Sequence, residues 1–331
     1  MIIETRAYAR AGLLGNPSDG YFGKTIAIIV KNFGAHVSLY ETPELKIEAR
    51  DEDLNIFKNI HHLVESVGLT GYYGGVRLIK ATLVKFMEYC NRENLALHNK
   101  NFTIRYHSSI PRQVGLAGSS AIITATIRAL MKFFDIHIRK EILPTLVLSV
   151  ETEELGINAG LQDRVVQAFE GCVYMDFEQE FVEKHGYGKY ESIDPRLLPK
   201  LYIAYKTDLG KVSGKVLNDI RSKYLKGDKL VIDTLNEIAS LAECGRKAII
   251  EQNFDELFRL MNRNFDLRSG IMNISDSNKQ LVNTARECGA CAKFTGSGGS
   301  IIGIYKDDEM LKRLILRLRE IQARVIKPLV I

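Results

Sequence analysis

Apolar and polar positions along this chain follow two periods, and the switches between them mark out its elements. Ala35, Val37 and Leu39 alternate with His36, Ser38 and Tyr40, a period of two that predicts a strand over Phe33–Tyr40 with one buried face. Ile2–Ala11 and Lys24–Val30 read as earlier strands, Leu45–Arg50 as another, and His61–Val67 as a short helix. Val76, Ile79, Leu83, Phe86, Met87 and Cys90 recur at helical spacing, which predicts a helix to about Asn94. Phe102, Ile104 and Tyr106 return to period two and run into Pro111.

From Ala121 to Phe134 the chain is apolar almost all round, with Thr124, Arg128 and Lys132 as one thin polar stripe. That pattern predicts a helix buried in a large core. Leu143–Leu155 and Asp163–Glu170 read as helices and Cys172–Phe177 as a strand. Glu178–Pro199, rich in charge, Gly and Pro, reads as an excursion between two domains, taken as 1–195 and 196–331. The second half opens with a strand at Leu201–Lys206. Helical patterns follow at 212–225, 230–252, 254–268 and 278–288, then a strand at Ser300–Tyr305, a helix through Met310–Ile321 and a strand at Arg324–Val330. Both halves are mixed, so the predicted class is α+β, with sheets backed by helices on one face.

Composition narrows the function. A chain of 331 residues, 46% hydrophobic, can bury a core large enough for about two domains. The net charge of +5 without a basic tract mildly favours small anionic ligands and argues against nucleic acid. No apolar run reaches about 18 residues and the first residues lack a signal-peptide shape, so a cytoplasmic protein with no membrane partner is expected. Five scattered cysteines make no disulfide framework. Cys288 and Cys291 form a lone C-x-x-C, read as two small buried thiols rather than a redox pair or half a zinc site. The histidines, His61-His62 included, show no metal-ligand spacing.

Pro111-Arg-Gln-Val-Gly-Leu-Ala-Gly-Ser-Ser-Ala121 precedes the buried helix. Gly115 and Gly118 allow the loop to curl with its amides inward, and Ser119 and Ser120 are N-cap types. A curled amide loop at a helix N-terminus suits phosphate; a plain flexible cap fits the same letters. No Gly-Lys-Ser/Thr follows, so this is not a Walker loop.

The wording Pro-x-x-x-Gly-Leu-(small)-(small)-Ser-Ser-Ala resembles the central motif of the GHMP kinases (galacto-, homoserine, mevalonate and phosphomevalonate kinases). Arg6–Gly23 and Gly289–Gly299 resemble the first and last motifs of that superfamily, in order. The resemblance implies a two-domain fold: a ribosomal protein S5 domain 2-like first domain and a ferredoxin-like second. It implies ATP and Mg²⁺, with nucleotide held by Pro111, Gly115, Leu116, Ala117, Gly118, Ser119 and Ser120, and with Ser120 and Glu151 as metal ligands. The segment 150–163 resembles galactokinase-like enzymes, in which a glutamate precedes by twelve residues an aspartate opening a helix. On that mapping Asp163 is the general base, with Arg10 beside it, and Asp19 binds sugar hydroxyls. Where galactokinases carry Glu-His, Asn16-Pro17 stand here, which argues against galactose.

Gly71–Leu78, Ile110–Leu116, Ala159–Arg164 and Lys293–Gly299, together with the opening run, resemble plant-type glucuronokinases much more closely. That family phosphorylates the anomeric hydroxyl of D-glucuronate. The acceptor's carboxylate calls for a bidentate arginine or amide donors; Arg112, Arg164 and Arg268 are candidates, Arg164 first, and Gly298 is expected to approach the substrate. A kinase for another sugar or uronic acid and a non-catalytic sugar sensor are the competing readings. The joint presence of Asp163, Glu151 and Arg10 counts against the sensor.

Overall fold

The computed structural model describes residues 2–48, 74–207 and 215–331, with backbone alone at 215–219. The helix expected at His61–Val67 lies outside them.

The first sheet starts with β1 (Ile2–Leu14) and β2 (Lys24–Thr42), followed by β3 (Lys46–Ile47), helix α1 (Gly75–Arg92) and β4 (Asn101–Ser108). Helix α2 (Gly118–Phe133), α3 (Leu143–Ser149), α4 (Gln162–Phe169), β5 (Cys172–Asp176), α5 (Gln179–His185) and β6 (Lys189–Ile193) complete that half. The second sheet uses β7 (Leu201–Lys206). After it come α6 (Lys215–Leu225), α7 (Lys229–Ile250), α8 (Phe254–Ile271), α9 (Asp276–Glu287), β8 (Lys293–Phe294), β9 (Ser300–Ile304), α10 (Asp308–Glu320) and β10 (Ala323–Ile326). Its order is β10-β7-β9-β8, antiparallel throughout.

In place of two strands, Lys24–Thr42 is a single strand. The polar Lys31-Asn32 break is a bulge where its register against β1 shifts between Tyr8 and Ala9. The bulge is held from outside: Lys31 N donates to Leu329 O (2.9 Å), and Leu329 N to Asn32 Oδ1 (2.7 Å). Beyond β1, the long strand divides its pairing between β4 (Ala35–Thr42) and β5 (Lys24–Ile28).

β1 itself changes character half-way. Up to Tyr8 burial alternates; from Ala9 to Leu14 both faces are covered. The reason is tertiary: Leu241 and Ala242 of α7 and Leu257 and Met261 of α8 share one apolar cluster with Ala11 and Leu14. A strand sandwiched this way loses its polar face. α2 packs on the opposite side, with Ile123, Ala125, Ile127 and Leu130 wholly buried, and Thr5 Oγ1 donates to Ala125 O at 2.6 Å.

The expected excursion at 178–199 is structured. It contains α5 and β6, and β6 pairs antiparallel with β5. As an edge strand it buries only Ile193, so its letters carry little apolar signal. Among the described residues, no helix is long and apolar enough to cross a membrane.

Candidate active site

One cavity of about 690 Å³ opens between the two sheets. Arg10 lies on the doubly covered part of β1, 5% exposed. Its Nε donates to Asp163 Oδ1 (2.5 Å) and its Nη2 to Asp163 Oδ2 (2.7 Å), a two-pronged pair. Nη1 donates to Gly115 O (2.6 Å) and Thr295 O (3.0 Å). One guanidinium therefore ties together the first strand, the central glycine loop, the start of α4 and the last glycine loop.

The glycine loop curls at Gly115 as expected, while Gly118 instead opens the helix. Gln113, Gly115 and Ala117 take positive φ, and such alternation of backbone hand turns neighbouring amides toward one side. Gly115 has no room for more than hydrogen: a Cβ there would lie 2.8 Å from Gly298 O. The residue before α2 is Ala117 in the left-handed region with no side-chain cap, so neither serine caps the helix.

Ser119 and Ser120 part company. Ser119 lines the cavity and its Oγ donates to Glu151 Oε1 at 2.6 Å. Ser120 is fully buried, absent from the cavity wall, with Oγ donating to Ala117 O (3.2 Å). The expectation that Ser120 faces the metal is corrected: one step along a helix rotates a side chain by about 100°, and this step carries Ser120 into the core.

Glu151 sits in a wider π-type turn at Val150–Glu154, which continues α3 and places the carboxylate inward, 1% exposed. Its Oε2 accepts from Arg164 Nε (2.8 Å) and Nη2. Arg164 also donates to Gly160 O (2.7 Å) and lies 3.3 Å from Asp163 Oδ2. Arg164, expected to meet the acceptor's carboxylate, lines the cavity with its charge facing Glu151 and Asp163.

Asp19, on a single turn at Ser18–Tyr21, accepts from the Gln162 amide (3.2 Å). Gly160 makes that approach possible, since a Cβ there would lie 2.1 Å from Asp19 Oδ2. The two aspartates are pushed apart electrostatically. Burial and the charge of Asp163 raise the Asp19 carboxyl to about 6. Burial also acts to raise Asp163, but Arg10 and Arg164 outweigh it and hold Asp163 below the usual carboxylate value.

Of the remaining expected residues, Pro111, Leu116 and Gly118 line the cavity, while Gly298 does not: it backs onto Gly115, and Gly296 and Ser297 face the space instead. Tyr21 packs against Tyr224 of α6, ring centroids 4.7 Å apart and planes tilted by 54°. Sequence reasoning passed over Gln162, whose Oε1 is buried without a hydrogen-bond partner among the described residues, and Thr295; both stand in motif segments beside assigned residues. It also passed over Arg221, on the cavity wall with no motif to mark it. Cys291 is wholly buried and Cys288 nearly so, as expected, and burial pushes the Cys291 thiol up to about 12. Among the described residues no group of three or more His, Cys, Asp or Glu side chains forms a metal cluster.

The family description "GHMP kinases N terminal domain" matches residues 77–171, and "GHMP kinases C terminal" matches 246–323. Probable glucuronokinase 2 of Arabidopsis thaliana is 45% identical over 308 residues, covering 91% of this chain and 84% of the plant protein. Glucuronokinase 1 of the same plant is 43% identical over 306 residues, with the same coverage. The fold matches the crystal structure of Streptococcus pneumoniae phosphomevalonate kinase in complex with phosphomevalonate and AMPPNP, with a TM-score of 0.76, 14% identity and full coverage of both chains.

Proposed function

The chain belongs to the GHMP kinases, and from that premise we propose that it transfers the γ-phosphoryl group of ATP to the anomeric hydroxyl of D-glucuronate, giving D-glucuronate 1-phosphate and ADP. The observation that carries the reading is the Arg10–Asp163 pair, bonded in the same few ångströms to the glycine loop. In this reading the pair is a base with its orienting cation and the loop a phosphate cradle, and the 43–45% identity to two glucuronokinases over most of the chain supports it.

In this reading the triphosphate lies on the loop from Gly115 to Ser119, where amides and the α2 N-terminus offset its charge. Asp19 accepts hydrogen bonds from sugar hydroxyls. Asp163 takes the proton of the anomeric hydroxyl as that oxygen bonds to the γ-phosphorus and the bond to the bridging β,γ-oxygen breaks. A carboxylate held low in pKa is a modest base, but an anomeric hydroxyl is more acidic than an ordinary alcohol and sheds its proton late. Arg10 keeps Asp163 ionised and oriented while Thr295 and Gly115 carbonyls hold Arg10 itself.

Mg²⁺ fits the donor set at Glu151 and Ser119. Both offer hard oxygens beside the phosphate loop, and Mg²⁺ takes one or two carboxylates with phosphate oxygens and water. When bound it would neutralise charge on the transferring group.

A coupled ADP assay with D-glucuronate, D-galacturonate, D-galactose and D-glucose tests the reading. Glucuronate is expected to give the highest kcat/KM. ADP release with a neutral sugar and none with glucuronate would overturn it.

A further inference from the structure

Five arginines line the cavity, and their partners differ. Arg10 and Arg164 face carboxylates of the protein. Arg112 is exposed on the glycine loop, and Arg221, also exposed, donates to Asn158 Oδ1 at 3.2 Å. Arg268, near the end of α8, is different: 2% exposed, yet in no ion pair among the described residues.

Its guanidinium is fixed from three sides by uncharged groups. Nη1 donates to Gly296 O (2.7 Å), Nε lies 3.1 Å from Met272 Sδ, and the Phe294 ring centroid is 5.3 Å away. Nη2 makes no hydrogen bond within the described residues and is not sealed from the cavity. Gly296 is wedged between the two cations, because a Cβ on it would lie 2.8 Å from both Arg10 Nη1 and Nη2. Arg268 therefore stands one peptide away from the Arg10–Asp163 pair, on the side of the second sheet.

A desolvated guanidinium with no counter-ion is unfavourable unless something supplies the anion. Burial lowers its pKa to about 10, which still leaves it charged at neutral pH. Asp19 acts on it through space without a hydrogen bond and, at about 6, is the weaker acid of the two aspartates here. No protein carboxylate among the described residues meets the guanidinium directly, and Nη2 is the donor left for an incoming anion.

We propose that Arg268 receives the carboxylate of the sugar-acid acceptor, while Asp19 and Asp163 face its hydroxyls. The assignment rests on the glucuronate reading above and deepens it, since it names the residue that separates a uronate from a neutral hexose. A planar fork fixed at one edge by Gly296 O offers its remaining donors to a carboxylate with little further ordering.

The experiment measures KM for D-glucuronate, the competitive Ki of the neutral isostere D-glucuronamide and KM for ATP, in the wild type, R268Q and R268K. R268Q is expected to raise KM for glucuronate roughly 10- to 100-fold, the range for losing a charge-assisted hydrogen bond. Its glucuronamide Ki and KM for ATP should change less than about threefold, which a general loss of structure would not allow. R268K keeps the charge without the fork; it should fall between wild type and R268Q, and it carries the test if R268Q does not fold. Equal losses for the charged and neutral ligands, or an unchanged KM for glucuronate in either variant, would overturn the assignment. A wild-type enzyme inert with glucuronate would instead remove the premise, and that outcome is read before any variant is made.

Discussion

Asp163 and Asp19 lie in one cavity with their pKa values displaced in opposite directions. Two arginines outweigh burial at Asp163 and hold it ionised, so the acidic limb of kcat should lie below the usual carboxylate range. Asp19, raised to about 6, takes up a proton as pH falls through that value, so KM for the sugar should climb there while kcat persists. A pH profile in which kcat falls over the same range in which KM climbs would contradict this separation. Asp163→Asn is expected to lower kcat by about 10²–10⁴-fold. It should keep the rise in Tm on adding nucleotide, the measure that the fold and the phosphate loop survive. Stability follows from the same shift with the sign reversed relative to a paired carboxylate. The folded protein holds the Asp19 proton up to about 6 and the unfolded chain releases it near 3.8. Stability is therefore lost as pH rises through that window. Asp19→Asn should stabilise the fold by about 1–3 kcal/mol at pH 8, a gain that vanishes below about pH 4, as denaturant titrations at the two pH values would read.

At the scale of elements, the buried helix was plain in the letters, and its load is testable. Ile123→Ala in the middle of α2 removes a wholly buried side chain and should cost about 2–5 kcal/mol by urea unfolding. The turn before α4 carries a subtler dependence. Gly160→Ala would put a Cβ 2.1 Å from Asp19 Oδ2, so the carboxylate has to move. KM for the sugar should rise about 10- to 100-fold with KM for ATP unchanged, the scale of a displacement of about 1 Å at a site. Three features here were out of reach of pattern reading. The two strands across Lys31-Asn32 join because a tail at Leu329 satisfies the bulge from nearly 300 residues away. β6 is hidden because an edge strand needs few apolar residues. The π-type turn at Val150–Glu154 adds residues to a turn without altering the apolar pattern, yet it decides that Glu151 faces inward.

At the scale of the molecule, the two sheets are joined by polar groups as well as by the shared core. Lys293, buried on β8, donates through Nζ to Gly12 O (2.8 Å) and Asn16 Oδ1 (2.5 Å), holding the loop that carries Asp19 from the opposite sheet. Burial drives the Lys293 pKa well below its ordinary value. Ligands lying between the sheets should stabilise the whole chain. ATP at about 100 times its Kd contributes roughly 2.7 kcal/mol, visible as a rise of several degrees in Tm, and Gly115→Ala should abolish it. The three glycine-bearing motifs, their order and the residues of the Arg10–Asp163 pair were legible in the chain, because tight backbone turns and close approaches demand particular residue types at fixed local spacing. Which serine meets Glu151, and which arginine is left with no carboxylate, were decided only by the fold. Those choices depend on what lies opposite each side chain: Glu151 across from Ser119 and Arg164, Gly296 between Arg10 and Arg268. Pairing across a cavity is set by groups far apart in the chain, and no local pattern records it.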